Sequence, residues 1–485
     1  MYNFKTEPYK HQENAWKDSW AKQFYFLAME MGTGKSKVAI DSIGALYEQG
    51  KIDTVLIVAP KGVFDNWIQQ EIPRHLPDRI ERTVVRWQPN WTEKFKAEIS
   101  AVAVPKNREK KQLVFLVMNV EALSTQKGQS TALRFLELNP NNMMVVDEST
   151  TIKNRKSQRT KAIVACGRAA KYRRVLTGSP ITKSPLDLFS QCDFLADKAL
   201  GYDNFFAFQA RYAVMQRRPR PGGGHYPHLM GYRRLDELGN KLEKFCCRVL
   251  KEDCLDLPDK IYTRRNVPLT EEQAKAYRQM KELALVHLDN GEIVTTASIL
   301  TQIMRLQQIT CGFLKPDDDA PITPLKNNRL NQLMEVIEEM SGKALIWATY
   351  THDIEAIREA LAGVYGEESV ATYHGPTPQE DRQNIVVEFQ KIDSPLRFFV
   401  GHPKTGGYGI TLTAANTVIY YNNSYDLESR LQSEDRAHRI GQEKSVTYID
   451  LVSPDTIDER ILEALRNKIN LAQTVLGEDF RDWLV

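Results

Sequence analysis

The chain has 485 residues, of which 42% are hydrophobic and 26% are charged, and its formal net charge at pH 7 is +3. This length exceeds what one hydrophobic core usually supports, and the composition is typical of soluble globular protein, which argues against wholesale disorder and against a membrane protein. The small net charge excludes nucleic-acid binding by bulk charge alone, so any such binding would require local basic patches.

The N-terminal sequence MYNFKTEPYKHQ lacks the basic and then apolar order of a signal peptide, and no apolar run reaches the roughly 18 residues that a bilayer span needs. We therefore expect the protein in the compartment where it is made, the cytoplasm of a bacterium or of a phage-infected cell, with no membrane association. The six cysteines have no paired CxxC spacing, which argues against a zinc ribbon or a disulfide framework.

Short apolar runs in the first part of the chain end at polar residues, which is typical of strands in a parallel sheet that is covered on both faces. These runs are VLIVAP (55–60), VFLVM (114–118), MMVVD (143–147) and RRVLTG (173–178). Helical patterns alternate with them, such as SKVAIDSIGALYEQ after Gly34 and SQRTKAIVACGRAA before Tyr172. The alternation predicts one α/β lobe over residues 1–186.

A glycine-rich loop, MGTGKS, follows the apolar run FYFLAM and precedes a helical pattern. Such a turn would direct successive backbone N–H groups at phosphates, and the helix dipole would add to the attraction. The residues of the turn are Met31, Gly32, Thr33 and Gly34. Lys35 would contact the β and γ phosphates of ATP, and Ser36 would bind Mg²⁺. Position 29 is Met where the full pattern has Gly, so the hexapeptide alone also fits an ordinary helix start.

An acidic pair, Asp147 and Glu148, ends the buried apolar run MMVVD. Two adjacent carboxylates at the end of a buried strand are costly unless they have a function. Asp147 would bind Mg²⁺, directly or through water, and Glu148 would orient and deprotonate the attacking water. The alternative is an acidic pair that faces solvent, and the presence of the glycine-rich loop in the same chain makes that interpretation less favoured.

Between residues 187 and 324 the sequence predicts helices rich in aromatic and basic residues, interrupted by RRPRPGGGHYPH (217–228). The Pro and Gly content of that stretch predicts an exposed loop without regular structure. We interpret the whole segment as a mostly helical insertion between two lobes.

A second α/β series occupies residues 325–485. Its predicted strands are ALIWAT (344–349), SVATYH (369–374), RFFVGH (397–402), TVIYYN (417–422) and VTYIDLV (446–452). The helical stretches NRLNQLMEVIEEM and QEDRQNIVVEFQK separate them. The two series therefore look like two versions of one lobe.

The segment QSEDRAHRIGQ (432–442) places Arg436 and Arg439 three residues apart, so a helical turn would present both guanidinium groups on one face. There they would offset the charge that grows on the γ-phosphate in the transition state. The alternative is a solvated basic helix.

The order of these motifs resembles superfamily 2 helicases, and specifically Swi/Snf-related helicase-like ATPases, over nearly all of the chain. A glycine-rich loop without the first glycine is usual in that family. The resemblance implies two RecA-like lobes with parallel sheets, and ATP with Mg²⁺ in the cleft between them. It also implies that Gln12, in YKHQENAW, reads adenine, and that Gln432 and Gly407 contact the nucleotide.

Two further motifs resemble the family less closely. DEST stands where the family has a DEAH-like box, and Thr150 replaces the His, so its hydrogen bonds to the coupling motif TGSPI (177–181) would differ. The segment KTGGYGITLTAANTVI (404–419) resembles one that touches nucleotide and nucleic-acid backbone, with Gly406, Gly407 and Gly409 permitting close approach and Thr411 contacting a phosphate.

The resemblance implies an ATP-dependent translocase on double-stranded DNA, with single-stranded DNA as an alternative track. The candidate phosphate contacts are Lys61, the basic run KNRKSQRTK (153–161), and Arg217, Arg218 and Arg220. Two other functions stay open: a strand-separating helicase, which needs a pin that the sequence does not locate, and a nucleotide-gated DNA-binding switch. We expect a monomer, because both lobes lie in one chain, together with an unidentified recruiting protein.

Overall fold

The computed structural model describes residues 2–61, 63–104, 111–219, 224–254, 256–289, 296–315, 321–406 and 410–476. Gly407, Gly409 and Arg220, which the sequence analysis singled out, lie outside these residues. Within the described part of the chain, no helix is long and apolar enough to cross a membrane.

The strands are β1 Phe24–Met29, β2 Thr54–Ala59, β3 Arg82–Arg86, β4 Leu113–Asn119, β5 Asn142–Asp147, β6 Tyr172–Thr177, β7 Ala213–Pro219, β8 His225–Tyr232, β9 Cys246–Val249, β10 Lys260–Asn266, β11 Phe313–Leu314, β12 Thr323–Pro324, β13 Lys343–Trp347, β14 Val370–Tyr373, β15 Phe398–Gly401, β16 Ala415–Tyr420 and β17 Val446–Val452.

The helices are α1 Lys10–Ser19, α2 Lys35–Glu48, α3 Phe64–Asn66, α4 Ile72–His75, α5 Glu93–Ala103, α6 Gln126–Leu138, α7 Gln158–Ala169, α8 Leu188–Leu195, α9 Phe205–Tyr212, α10 Leu235–Leu242, α11 Glu271–Asp289, α12 Thr296–Cys311, α13 Arg329–Glu339, α14 Thr351–Tyr365, α15 Gln379–Gln390, α16 Pro403–Gly406, α17 Leu427–Glu434 and α18 Ile457–Leu476. A π-helical turn, Trp67–Glu71, joins α3 to α4.

Two sheets organise the chain, and every strand pair within them is parallel. The first has seven strands in the order β3-β4-β2-β5-β6-β1-β9, and the second has six in the order β10-β17-β16-β13-β15-β14. With helices connecting their strands, these sheets form two RecA-like α/β lobes, which confirms the predicted fold class.

The chain divides into two compact units. The first comprises Met1–Val214, Met230–Asp256 and Asn470–Val485, and the second comprises Met215–Leu229 and Leu257–Ile469. Both contain residues of the 187–324 segment that the sequence predicts as an insertion. That segment also supplies an edge strand to each sheet, β9 to the first and β10 to the second.

The core of the first lobe lies on both faces of its sheet. Along β2, Val55 and Ile57 pack into one apolar cluster, while Leu56 and Val58 pack into another. Successive side chains of a strand point to opposite faces, so a continuous apolar run is what a doubly covered strand requires. The second lobe has the same organisation along its own sheet.

The stretch predicted as an irregular loop, residues 217–228, is not a loop over its whole length. β7 and β8 occupy both ends of it and pair in a two-stranded sheet. Proline cannot donate to a strand ladder, but Pro219 and Pro227 are tolerated because a ribbon of two strands consists entirely of edge strands.

His75, at the end of α4, gives the fold a pH-dependent contribution to its stability. Its side chain is buried and bonds Thr6 Oγ1 through Nδ1 at 2.7 Å. Burial and, secondarily, the charge of Lys37 lower the pKa of His75 to about 4, so the unfolded chain binds more protons below about pH 6.5. Stability is therefore lost as the pH falls from about 6.5 towards 4, by ~2 kcal/mol at pH 5.

We expect this loss to disappear from the His75→Gln variant. The measurement is the free energy of unfolding by urea at pH 7.5 and pH 5.0, compared between wild type and variant. Carboxyls that do not contact His75 titrate equally in both proteins, so the difference between the two curves reports His75 together with its neighbour Glu71, whose Oε2 lies 3.8 Å from His75 Nε2. Parallel pH profiles for the two proteins would contradict the assignment.

Candidate nucleotide-binding site

The glycine-rich loop lies between β1 and α2, at the carboxyl end of β1, which lies between β6 and the edge strand β9 in the first sheet. Gly32 and Gly34 have φ angles of 86° and 92°, which favour glycine. A Cβ atom on Gly34 would also lie 2.2 Å from Gln12 Nε2. The loop therefore requires glycine at this position for its backbone conformation and for the approach of a neighbouring side chain.

Gln12, on α1, is buried against this loop. Its Nε2 donates to the carbonyl oxygen of Thr33 at 3.0 Å, and its Oε1 accepts from the backbone N–H of Tyr9 at 3.1 Å. The rings of Tyr9 and His11 stack with centroids 5.8 Å apart, and Tyr9 is 54% exposed. The amide of Gln12 and an exposed aromatic ring thus lie next to the loop, at the place where adenine recognition is expected from the sequence.

The acidic pair lies at the carboxyl end of β5, and both side chains are buried. Asp147 Oδ1 accepts the backbone N–H of Glu148 at 2.9 Å. Glu148 itself has φ 45° and ψ 62°, a left-handed conformation that is uncommon for residues other than glycine. Such strain is found where the surrounding structure fixes a side chain for a function.

Lys35, at the start of α2, faces this pair. Its Nζ lies 3.4 Å from Glu148 Oε1, and the two side chains are only 10% and 7% exposed. Ser36 lies in the same first turn, half-buried. A buried cation, a hydroxyl and two carboxylates beside a loop of backbone N–H groups fit a nucleoside triphosphate with a hard, oxygen-liganded cation such as Mg²⁺.

Trp67 is a residue of this site that the sequence analysis missed. It is fully buried in the π-helical turn, and its Nε1 donates to Asp147 Oδ2 at 2.8 Å. Glu71 ends the same turn; burial raises the pKa of its carboxyl, the hydrogen bond from Asn66 opposes this shift, and the charge of Asp147 adds to it. π-helical turns are frequent at functional sites, but this one becomes visible only in the folded chain.

The predicted coupling motif, TGSPI, is connected to the DEST box through the side chain of Gln191 on α8, and residues that closely follow the two motifs, Lys153 and Thr182, contact each other. Ser149 Oγ donates to Gln191 Oε1 at 2.6 Å, and Gln191 Nε2 donates to the carbonyl of Pro180 at 2.8 Å. Lys153 Nζ also donates to Thr182 Oγ1 at 2.7 Å. Gln191 thus links the two motifs, and Lys153 links the segments that follow them, in a chain that has Thr150 where the family has His.

The two predicted arginines are brought together in the second lobe, although not on a helix. α17 ends at Glu434, and Arg436 and Arg439 follow in irregular turns. Both guanidinium groups nevertheless donate to the carbonyl of Ile410, at 2.9 and 3.3 Å. The prediction of a shared helical face was wrong, because the helix stops before them, but convergence of the two side chains is observed.

Gln432 and the glycine-rich segment border these arginines. The carbonyl of Gln432 accepts Arg436 Nε at 2.9 Å, and its side chain is buried. A Cβ on Gly406 would lie 2.6 Å from the ring of Trp347, so glycine is required there by close packing. Thr411 follows Ile410 directly, half-buried.

The basic residues after the DEST box lie on the surface of the first lobe. Lys156 and Lys161 are exposed, and the Arg155 guanidinium lies over the rings of Phe205 and Phe206 at 4.3 and 5.2 Å. The exposed cations and the stacked arginine form a basic surface with an aromatic component.

Two RecA-like lobes, one of which carries a glycine-rich phosphate loop next to an acidic pair, define the helicase-like ATPases of superfamily 2. Residues 16–313 match the SNF2-related domain, and residues 326–441 match the helicase conserved C-terminal domain. Because the first match spans more than half of the chain, the protein belongs to the SNF2-related family.

Individual relatives agree with this placement. The chain is 27% identical over 458 residues to the uncharacterized ATP-dependent helicase MG018 of Mycoplasma genitalium, covering 93% of this chain and 40% of that protein. It is 24% identical over 498 residues to the ISWI chromatin-remodeling complex ATPase ISW1 of Saccharomyces cerevisiae, covering 98% of this chain and 41% of that protein. The chain thus spans less than half the length of these relatives.

Among solved structures, the Sulfolobus solfataricus SWI2/SNF2 ATPase core in complex with dsDNA is 25% identical to this chain. The superposition covers 98% of this chain and 94% of that one, with a TM-score of 0.43.

Proposed function

We propose that this protein is an ATP-dependent translocase on double-stranded DNA, which couples ATP hydrolysis to movement along DNA and to remodelling of DNA or protein–DNA complexes. The observation that supports it most is the buried group of Lys35, Asp147 and Glu148 beside the phosphate loop. Membership of the SNF2-related family, and a relative described as a chromatin-remodeling complex ATPase, support the same function.

In the proposed reaction, the backbone N–H groups of the loop and Lys35 bind the phosphates of ATP, and Gln12 orients the adenine. Ser36 and Asp147 would hold Mg²⁺, which when bound would screen the charge of the phosphates. Glu148 accepts the proton of the attacking water as that water attacks the γ-phosphorus, and ADP leaves. The strained backbone of Glu148 holds its carboxylate in one direction before the substrate arrives.

The second lobe would supply Arg436 and Arg439 to the developing charge on the γ-phosphate. Their common hydrogen-bond acceptor, the carbonyl of Ile410, would orient both groups. Gln432 and Gly407 would contact the nucleotide from the same lobe. A cycle in which ATP bridges the lobes and hydrolysis removes the bridge would give directional steps.

The test of the proposal is steady-state ATP hydrolysis without nucleic acid and with single-stranded DNA, duplex DNA or RNA. Strong stimulation by duplex DNA, together with displacement of a triplex-forming strand from that duplex, is the expected result. A preference for single-stranded DNA with unwinding of a fork would favour a helicase instead. Absence of hydrolysis in every condition would leave a binding switch.

Trp67 would position Asp147 for the metal. Trp67→Phe preserves most of the buried volume but removes the N–H donor to Asp147 Oδ2. We expect the Mg²⁺ concentration at half-maximal ATP hydrolysis to rise about 10- to 100-fold, as when an outer partner of a metal ligand is lost.

Trp91→Phe is the control for Trp67→Phe, because Trp91 packs on Phe95 in the same lobe. Binding of a fluorescent ATP analogue without Mg²⁺ should be unchanged in both variants. An unaltered Mg²⁺ requirement in Trp67→Phe would show that the hydrogen bond serves the fold alone.

A further inference from the structure

The β7–β8 ribbon, defined as residues 213–219 and 225–232, is an element that the proposed ATPase reaction does not use. Its two strands pair only with each other, in a sheet separate from both lobes' sheets. They are joined by five residues, which permits only an antiparallel pair, because parallel strands need a crossover of a dozen or more residues.

Both faces of the ribbon are open to solvent over much of its length. Six consecutive residues of β7, from Val214 to Pro219, are exposed, so the alternation of buried and exposed positions found in a half-covered strand is absent. β8 has no fully buried residue. An isolated two-stranded hairpin is marginally stable in water, so a ribbon of this kind favours a binding partner over an independent structural role.

The charge of the surrounding sequence identifies the chemistry of that partner. Residues 204–235 contain six arginines and two histidines but no aspartate, glutamate or lysine. In a chain with 65 basic and 62 acidic residues, this is a strong local departure from balance. Arginine provides a planar, bidentate donor group that matches phosphate oxygens, so the composition points to a polyanion.

The base of the ribbon is held firmly in the first unit. Arg233, directly after β8, donates from Nη2 to the carbonyl of Ala210 at 2.7 Å and from Nε to the carbonyl of Arg211 at 3.2 Å. These carbonyls belong to the last turn of α9, where a cation also interacts favourably with the helix dipole. Arg211 in turn is paired with Glu237 of α10. The root of the ribbon is thus anchored in the first unit, and the residues of β7 that follow it along the chain, Val214 to Pro219, are exposed.

We propose that the β7–β8 ribbon is a duplex-DNA-binding arm that lies in a groove of the DNA and contacts its phosphates through Arg217 and Arg218. The inference rests on the proposed function. A major groove about 12 Å wide admits a two-stranded ribbon, and strands of seven and eight residues span about 25 Å, which is most of one helical turn of B-DNA.

An intact duplex fits this arm better than separated strands do. Binding of single strands typically uses aromatic rings on which bases stack. Arg217, Arg218 and Pro219 end β7, and the first tyrosine of β8, Tyr226, is half-buried with its ring 6.3 Å from that of His228. The exposed end of β7 therefore offers arginine charge to the DNA backbone, which is the chemistry of backbone contact in a groove.

The experiment compares wild type with the double variant Arg217→Ala, Arg218→Ala, by fluorescence anisotropy on a labelled duplex and a labelled single strand over a range of salt concentrations. Gln216→Ala is the matched control, since Gln216 is an exposed neutral neighbour on the same strand. A second variant, in which a Gly-Ser-Gly turn replaces residues 215–229, tests the whole arm. Thermal unfolding and binding of a fluorescent ATP analogue establish that each variant is folded.

We expect the double variant to bind duplex about tenfold more weakly, and the slope of log affinity against log salt to fall by about 2, because two phosphate contacts are lost. Duplex affinity and salt slope equal to those of wild type would overturn the proposal while leaving the translocase function intact. Loss of single-strand binding alone would also overturn it and would assign the arm as a strand-separating pin.

Different results would contradict the proposed translocase function. If wild type binds duplex through the ribbon but duplex does not stimulate its ATP hydrolysis, the translocase function is contradicted and the DNA-binding role of the ribbon is retained. A wild type that does not bind duplex at all would overturn both.

Discussion

Replacement of Glu148 by glutamine is expected to lower ATP turnover by about 10²- to 10⁴-fold, which is the contribution typical of a general base. Glutamine keeps the length of the side chain and its hydrogen-bonding capacity but cannot accept the proton of the attacking water. Because the change removes a negative charge that lies 3.4 Å from Lys35, in the region where phosphates bind, ATP affinity should be retained or increased. The variant would thus bind ATP and fail to hydrolyse it.

The measurement is phosphate release at saturating ATP and duplex DNA, combined with titration of a fluorescent ATP analogue. Glu121→Gln is the matched control, because Glu121 is an exposed glutamate of the same lobe. Turnover within tenfold of wild type would show that Glu148 is not the general base and would make Glu71 the next candidate. Loss of nucleotide binding would indicate instead that its carboxylate maintains the loop.

In the first lobe, the strands that the sequence predicted are those whose apolar character is continuous. Both faces are buried in β2, β4, β5 and β6. Burial on both faces requires apolar residues at successive positions, and this run is visible in the sequence. β3 (RTVVR) and β9 (CCRV) lie at the edges of the first sheet, where half of the contacts are missing and charged residues are tolerated. Edge strands therefore carry a weaker pattern, and neither was predicted.

The candidate site shows a similar division. Lys35, Asp147 and Glu148 were predictable because each belongs to a short motif whose chemistry depends on neighbours in sequence. Trp67 was not, since its hydrogen bond to Asp147 spans 80 residues and depends on a π-helical turn. Gln191 was missed for the same reason: its role as a bridge requires that α8 pack beside two loops.

Replacement of Arg439 by alanine is expected to lower ATP turnover by about 10³-fold or more, in the range that arginine fingers contribute, with little change in stability. Arg439 is half-buried, and its described hydrogen bond to Ile410 is long, at 3.3 Å. Arg436 differs, because it is 2% exposed and also donates to the carbonyl of Gln432. Arg436→Ala should therefore lower turnover and also destabilise the second lobe, since the carbonyl of Gln432 would lose this donor and the carbonyl of Ile410 would lose its shorter hydrogen bond.

The different burial of Arg436 and Arg439 allows a catalytic role to be distinguished from a structural one. Turnover and thermal unfolding are measured for Arg439→Ala, Arg436→Ala and the control Lys444→Ala, which removes an exposed cation nearby. If Arg439 acts on the transition state, its variant loses hydrolysis while ATP affinity and unfolding temperature stay close to those of wild type. A loss of turnover that follows the loss of stability in both variants would make the arginines structural, since both donate to the carbonyl of Ile410.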